Sequence, residues 1–495
     1  MICIPIIAST MEDALKDTEE ASSVADCVEL RLDCIKKPDL RLLLERCTKP
    51  VIVTNRPVRE GGMFDGSEED RVALLKLALE LQVDYVDIEH DSRDRVQCSP
   101  ESKTKLIVSY HNFRETPDNL MDIYRKLRQS HADIIKIVTY ARSITDNIRI
   151  YQLLQEGMGT TPIISFCMGE YGNISRILYK IFGSYLTFAS LRSGKESAPG
   201  QINIHEMLNV YQIRRHNKQT SVYGLIGNPV SHSISPIIHN TLFTEMGFNN
   251  VYVPFKVDVI DDFIKEFKKL DIKGYSVTIP HKESVISCLD GMDPLAEKIG
   301  AVNTIVNKNG RLFGFNTDCE AAIRTLESVD QASDEEVKTH GGLCGKRVAI
   351  LGAGGVARAI AFGLKGRGSQ VTIFNRNDER SRLLANEADC DSGKLCDLPA
   401  RQIDILINAT PVGMFPGVNE TPVDKNILKP NMIVFDTIYN PKETKLLRDA
   451  RDKGCITIGG MPMFVHQAAA QFKLWTGKTP PLEVIGKIAY KGLPA

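Results

Sequence analysis

The stretch Lys346-Arg-Val-Ala-Ile-Leu-Gly-Ala-Gly-Gly-Val-Ala-Arg-Ala359 reads as strand, tight turn and helix in immediate succession. Val348–Leu351 are apolar and suit a buried strand. Gly352, Gly354 and Gly355 let the backbone turn sharply, and the run from Val356 to Leu364 forms helix. A helix N-terminus directly after a glycine turn presents N–H groups and the positive end of the helix dipole, which suits a dinucleotide pyrophosphate. Ala357 takes the position where helix and strand pack closely.

The next strand, Gln370-Val-Thr-Ile-Phe374, sharpens the ligand. An acidic residue at its end would bond ribose hydroxyls and favour NAD. Here the strand ends in Asn375-Arg376-Asn377, with Arg380 beyond; Asp378 and Glu379 read as the following loop. Guanidinium groups pair with phosphate in a planar fork, so two arginines suit a 2′-phosphate and the expected cofactor is NADP(H). Gly352, Ala353, Gly354, Gly355, Val356, Asn375, Arg376 and Arg380 are its expected binding residues.

Bulk composition excludes several function classes. The 495 residues carry a net charge of −1, with 43% hydrophobic and 25% charged residues. That length suits about three domains, and the charge gives no case for nucleic acid or an anionic membrane. No apolar run approaches the ~20 residues of a membrane span. The twelve cysteines are scattered, without Cys-x-x-Cys or clustering with His, which argues against zinc, any other metal site or a disulfide frame. The N-terminus, Met-Ile-Cys-Ile-Pro-Ile-Ile-Ala, reads as a first strand rather than a targeting peptide. A cytoplasmic location is expected, or a plastid stroma where a transit peptide has been removed. Nothing in the chain signals an oligomeric state.

The residues ahead of the glycine turn form a strand–helix series. Strands are expected at Ile2–Ala8, Cys27–Leu32, Val51–Asn55, Tyr85–Glu89, Lys105–Tyr110, Ile134–Thr139, Pro162–Cys167 and Leu186–Leu191. Segments such as Glu69–Leu81, Pro117–Gln129 and Ser143–Glu156 between them have helical spacing of apolar residues. Eight such units in about 200 residues suggest a (β/α)8 barrel; an open doubly wound sheet is the rival. Polar residues at the strand ends favour the barrel, whose active site lies there. They are Glu29 and Arg31, Arg56, Glu89, His111, Arg176, Ser197 and Gln201, with Lys136 inside strand six. Lys136 is flanked as Ile134-Ile135-Lys136-Ile137-Val138, which should bury it. Burial lowers a lysine pKa toward the ~7–8 at which a free amine can form a Schiff base.

The motifs Glu29-Leu-Arg31-Leu-Asp33, Arg56 with Glu60-Gly-Gly, Asp87-Ile-Glu89, Ser109-Tyr-His111-Asn-Phe, Lys136, Ser175-Arg176 and Ser197-Ala-Pro-Gly-Gln201 resemble the type I 3-dehydroquinate dehydratases. The resemblance implies that Lys136 forms an imine with the substrate ketone, that His111 is general acid and base, and that Glu89 orients His111. It implies that Arg176, Ser197 and Gln201 hold the substrate carboxylate and hydroxyls, with Glu29, Arg31 and Arg56 lining the site. Asn112 stands where that family usually has Asp.

Arg214-Arg-His-Asn-Lys-Gln-Thr-Ser reads as a linker, and a new strand begins at Val222. Ser233 and Ser235 precede a helix started by Pro236, which suits an anion. Gly274-Tyr-Ser-Val-Thr278-Ile-Pro-His-Lys282 reads as a strand running into a helix headed by Lys282. A lysine and Asp318 brought together could be an acid/base pair or a salt bridge. Together with Gly-Ala-Val-Asn303-Thr, Asn-Thr-Asp318, Asn408-Ala-Thr410-Pro-Val-Gly-Met, Asp436-x-x-Tyr439-x-Pro and Gly460-Met-Pro-Met-Phe-Val-His-Gln467-Ala, these motifs resemble shikimate dehydrogenase. The resemblance implies that Ser233 and Ser235 take the substrate carboxylate. Thr278, Asn303, Asp318, Tyr439 and Gln467 surround the ring hydroxyls, and Lys282, paired with Asp318, relays a proton. It adds Thr410 and Gly460 to the cofactor site. Asn377 departs from the usual threonine and Pro462 from the usual glycine.

The expected architecture is α/β throughout: a (β/α)8 barrel over 1–213, then a two-domain shikimate dehydrogenase-like unit. Its α/β substrate domain covers 222–325 and is completed by 460–495, where the helix from Phe464 folds back. Its Rossmann NADP domain covers 340–459, after a polar loop at 331–342. The implied activity is bifunctional: 3-dehydroquinate to 3-dehydroshikimate, then NADPH-dependent reduction to shikimate, with these small molecules as the only partners. Quinate dehydrogenase is the alternative for the second half, and a non-catalytic regulatory homologue for the whole.

Overall fold

The computed structural model describes residues 1–97, 101–159, 161–231, 233–328 and 342–492. The chain divides into two compact units, Met1–Val222 with Gly247–Asp271, and Tyr223–Met246 with Ile272–Ala495. Most of the loop expected at 331–342 lies outside the described residues.

The first unit is built on eight strands: β1 (Ile2–Ile6), β2 (Cys27–Arg31), β3 (Val51–Thr54), β4 (Tyr85–Glu89), β5 (Lys105–His111), β6 (Ile134–Tyr140), β7 (Ile163–Met168) and β8 (Thr187–Phe188). They run in the order β7-β6-β5-β4-β3-β2-β1-β8, all pairs parallel, which makes a nearly closed barrel. The seam beside β7 is held by the Tyr185 N–H donating to Ile163 O at 2.7 Å and the Ser165 N–H donating to Ser184 Oγ at 3.1 Å. The eighth strand is shorter than its apolar run promised. Ser190 turns away to donate its N–H to Ile202 O and bridge Asn203, which ends the ladder. The charged stretch after residue 213 is tied down at its start, Arg214 Nη2 donating to Val24 O at 2.6 Å.

After β9 (Ser221–Gly227), the stretch Gly247–Asp271 contains β10 (Asn250–Lys256) and a helix Ile260–Phe267, with Phe263 and Phe267 stacked 4.2 Å apart. The second unit continues with β11 (Ile272–Val277), β12 (Gly291–Met292), β13 (Thr304–Lys308) and β14 (Arg311–Phe315). Here the order is β9-β11-β13-β14-β12, with β11–β13 and β13–β14 antiparallel and β12–β14 parallel. Helix Met461–Thr476 packs on this sheet through Trp475, whose indole N–H donates to Ile305 O at 3.1 Å. Pro462 sits in that helix's first turn, where the N–H it lacks would have had no helical partner.

The remaining strands are β15 (Arg347–Leu351), β16 (Gln370–Phe374), β17 (Asp391–Gly393), β18 (Ile405–Asn408), β19 (Ile433–Asp436) and β20 (Ile456–Ile458). All are parallel, in the order β17-β16-β15-β18-β19-β20. Counted within this sheet the order is 3-2-1-4-5-6, the doubly wound dinucleotide-binding topology. Alternation splits its core between two faces: Ile350, Ile373, Ile407 and Phe435 on one, Ala349, Leu351, Leu406 and Val434 on the other. Asp378 and Glu379 open a helix, Asp378–Glu387, rather than a loop, because Asn377 caps it by accepting from the N–H groups of Glu379 and Arg380. No helix of the described residues is long and apolar enough to cross a membrane.

Candidate active sites

Barrel interiors stack in layers contributed by alternate strands. Here the even strands supply one such layer with charge: Glu29 from β2, Asp87 from β4, Lys136 from β6, with Phe188 from β8. Lys136 Nζ donates to Asp87 Oδ2 at 2.8 Å, lies 3.5 Å from Glu29 Oε1, and stands 4.6 Å from the centre of the Phe188 ring. The amine is buried, as its apolar flanks require, but it is not alone in an apolar site; two carboxylates hold it. Asp87 is kept far below the usual carboxylate range by Arg56 and Lys136 in spite of its burial.

His111, at the end of β5, faces the same cavity. Its Nδ1 lies 2.9 Å from Glu60 Oε2, which also accepts the His111 backbone N–H at 3.2 Å. Glu89 is not the carboxylate on this imidazole. It is held by Arg56 Nη1 and Arg71 Nη1, each at 2.6 Å. Glu60 reaches His111 because the chain doubles back at two glycines. Gly61 has φ +73° and a Cβ there would sit 2.2 Å from the Phe113 ring; one on Gly62 would sit 1.9 Å from Arg56 O. Burial, then the charges of Arg56 and Lys136, lower the His111 pKa well below its ordinary value, which favours the neutral imidazole. Burial raises Glu60 to about 7.

The third part of the cavity is a set of buried donors. Arg176 is 1% exposed and its guanidinium lies 4.2 Å over the Phe166 ring. Among the described residues its Nε and Nη2 have no hydrogen-bond partner, and neither has Gln201 Nε2. Gln201 Oε1 accepts from the N–H and hydroxyl of Ser197, at 2.7 and 3.0 Å. Burial lowers the Arg176 pKa to about 9. Buried donors without acceptors are costly, and an anion would satisfy them. Arg31 is paired bidentately with Asp33 and lines the same cavity.

In the second unit Lys282 Nζ donates to Asp318 Oδ2 at 2.5 Å. Lys282 sits in a turn before a short 3-10 helix, Ser284–Cys288, rather than heading an α-helix. Asp318 is aimed by two asparagines. Asn316 Oδ1 accepts from the N–H groups of Asp318 and Cys319, and Asn303 Oδ1 accepts from Thr317 N–H. The Asn303 amide thus braces the loop, its Nδ2 donating to Thr317 Oγ1 at 2.8 Å. Ser233 accepts from the Ser235 N–H at 3.2 Å, and its side chain hydrogen-bonds the buried Tyr439 phenol. Burial is the larger influence on that phenol and raises its pKa. Thr278 packs against Gly227, where a Cβ would lie 2.3 Å from Thr278 Cγ2. Gln467 donates to Phe464 O within its own helix.

The glycine turn lies at the end of β15. Gly352 has φ +113°, and a Cβ on it would approach Ala409 O to 2.9 Å; Gly354 faces open space. A Cβ on Gly355 would come 3.1 Å from the Lys282 side chain, which puts the head of helix Gly355–Gly366 beside the Lys282–Asp318 pair. Arg358 in that helix donates to Ile299 O at 2.7 Å and so joins the turn to the substrate side. Arg376 and Arg380 are exposed, Asn375 Nδ2 bonds Asn377 O, and Thr410 Oγ1 donates to Asn408 Oδ1 at 2.7 Å. Gly460 fits where a Cβ would collide with Thr437 O at 2.3 Å. The open cradle at Gly354, the helix N-terminus and the exposed guanidinium groups fit a phosphorylated dinucleotide.

Sequence reasoning passed over Asp87, Glu60 and Arg71, which the structure brings against Lys136, His111 and Glu89. Asp87 and Glu89 are two apart on β4, so both carry side chains to the same face, and either could have been paired with Lys136. The two glycines after Glu60 signalled its return. Arg71, on helix Glu68–Glu80, gave no such signal.

Family models match the chain in four segments. The type I 3-dehydroquinase model matches residues 2–218, and the shikimate dehydrogenase substrate binding domain matches 225–305. The shikimate/quinate 5-dehydrogenase model matches 335–443, and the shikimate 5′-dehydrogenase C-terminal domain 460–487. The bifunctional 3-dehydroquinate dehydratase/shikimate dehydrogenase, chloroplastic, of Arabidopsis thaliana is 40% identical over 510 residues, covering 99% of this chain and 84% of that protein. The NADP(+) shikimate dehydrogenase of Pyrococcus furiosus is 42% identical over 55% of this chain and 96% of its own length. Among solved structures, a shikimate dehydrogenase in complex with NADP+ is 39% identical with a TM-score of 0.52, covering 57% of this chain and 98% of its own. With a barrel holding a buried lysine, a dinucleotide fold beside a lysine–aspartate pair, and a relative matched over 99% of this chain, this chain belongs to the bifunctional 3-dehydroquinate dehydratase/shikimate dehydrogenase family.

Proposed function

We propose that the barrel dehydrates 3-dehydroquinate through a Schiff base on Lys136, and that the second unit reduces the product, 3-dehydroshikimate, to shikimate. The observation that carries the first step is the sharing of one cavity by a buried amine, a neutral imidazole and unpartnered guanidinium donors. The substrate carboxylate would satisfy Arg176 and Gln201, and that contact orients the ketone toward Lys136. The amine attacks the carbonyl carbon and water leaves as the imine forms. An iminium acidifies the neighbouring C–H, so the neutral imidazole suffices as base near pH 7. Glu60 accepts at Nδ1 and leaves Nε2 open to take that proton. The same nitrogen returns it to the departing hydroxyl, and hydrolysis of the imine frees the product and the amine.

In the second unit Ser233, Ser235 and Tyr439 would bind the carboxylate end of 3-dehydroshikimate, with Thr278 and Gln467 at the ring. NADPH, when bound, supplies the hydride, and Arg376 and Arg380 favour it over NADH through the 2′-phosphate. Lys282 delivers a proton to the oxygen that becomes the alkoxide. Asp318, at 2.5 Å, holds the ammonium in place, and Asn303 and Asn316 keep Asp318 aimed.

NADPH oxidation followed with 3-dehydroquinate as the sole added substrate tests both halves, since turnover requires the two reactions in series. Borohydride with dehydroquinate is expected to attach label to Lys136 alone. Label on another lysine would refute the imine assignment, and faster oxidation of quinate with NAD than of shikimate with NADP would make the second half a quinate dehydrogenase.

A further inference from the structure

Arg71 is among the largest fully buried side chains, yet it lies outside the cavity of the dehydratase site. It comes from the first turn of helix Glu68–Glu80, on the outer layer of the barrel, and its guanidinium reaches Glu89. From there charges alternate inward. Glu68 meets Arg71 at 2.6 Å, Arg71 meets Glu89 at 2.6 Å, and Glu89 meets Arg56 at 2.6 Å. Arg56 meets Asp87 at 2.8 Å, and Asp87 meets Lys136 at 2.8 Å. Ser109 bridges the middle, accepting from Arg56 and donating to Asp87. Every side chain from Arg71 to Lys136 is at most 5% exposed, so neither water nor salt screens the series.

We propose that Arg71 is a positioning residue of the dehydratase: through Glu89 and Arg56 it sets how tightly Asp87 holds the Lys136 amine. The inference rests on the Schiff-base reading above. Arg56 serves two carboxylates at once, while Arg71 forms an ion pair with the second oxygen of Glu89, its Nη1 donating its hydrogen bond to Asn55 O. Without Arg71, Arg56 is drawn toward Glu89 and Asp87 is left to hold Lys136 alone. The other charged groups around the amine are Glu29 and Arg31 on β2, His111 on β5, Glu60 in the turn after β3 and Arg176 after β7, with the Cys3 thiol on β1. None of them contacts Arg71.

The test is the pH dependence of dehydratase kcat/KM in the full-length protein, without NADPH. R71M is expected to move the acid limb upward by roughly one pH unit, the scale of one nearby buried charge. R71K, which keeps the charge, is expected to show little of that shift. The double variant R71M/E89Q, which removes one charge of each sign, brings the limb back toward wild type. E68Q, altered at the half-exposed end, moves it downward by less and keeps the test open if R71M fails to fold. A lowered Tm with the acid limb unmoved in R71M, or an unmoved limb in E68Q where R71M does not fold, would reduce Arg71 to a structural tie and overturn the proposal. Borohydride trapping of wild type separates the two levels of the argument. If Lys136 takes no label, the Schiff-base reading itself has failed and the inference falls with it. If Lys136 is labelled and the limb does not move, only the role of Arg71 is lost.

Discussion

At the residue scale, the dehydratase site turns on which carboxylate meets His111. Both Glu60 and Glu89 stand in suggestive motifs, and only Glu60 lies within hydrogen-bond reach of the imidazole. Glu60→Gln is therefore expected to lower dehydratase kcat by roughly the 10²–10⁴ of lost acid/base help, with a smaller change in KM. The same carboxyl leaves a signature in stability. Its pKa is raised from 4.5 to about 7 by burial, so the folded state binds that proton more tightly than the unfolded chain. Its contribution to stability is fully present below about 4.5 and lost as pH rises through about 7. Thermal melts of wild type and E60Q across pH 4–8 should show the wild-type advantage shrinking over that window. A difference independent of pH would mean that Glu60 is not held in this way.

At the element scale, what the sequence reveals depends on how local the determinant is. The turn at Gly352–Gly355 was legible because strand, glycines and helix are contiguous. Gly352→Ala tests it directly: at φ +113°, with Ala409 O 2.9 Å from the new Cβ, the turn must shift. Strain of about 1–3 kcal/mol translates into roughly a ten- to hundredfold weaker NADPH affinity by fluorescence titration, with dehydratase rates unchanged. Equal loss of both activities would refute the local account. The barrel strands were legible for the same reason, through their apolar runs. The early end of β8 was not, because a long-range bond from Ser190 to Ile202 ends it. Nor was the helix at Asp378, where one asparagine side chain converts a loop into a capped N-terminus. The pairing of Glu60 with His111 spans 51 residues and depends on the turn between β3 and helix Glu68–Glu80, which no periodicity reports.

At the scale of the whole molecule, the proposed reading gives each unit its own reacting groups, Lys136 with His111 in one and Lys282 with Asp318 in the other. Lys136→Ala and Lys282→Ala should each abolish NADPH oxidation from dehydroquinate almost entirely. An equimolar mixture of the two variants should recover it after a lag, because the intermediate made by one protein is reduced by the other. A mixture as inactive as its components would show that each reaction needs both sites intact in one chain. The cavity of the barrel also bears on how the protein ages and is protected. Arg176 is an almost wholly enclosed cation whose Nε and Nη2 lack hydrogen-bond partners among the described residues, and a buried cation is costly unless it is paired. A carboxylate ligand relieves that cost. On the proposed reading, substrate that pairs with Arg176 is also expected to stabilise the barrel, seen as a Tm raised by dehydroquinate.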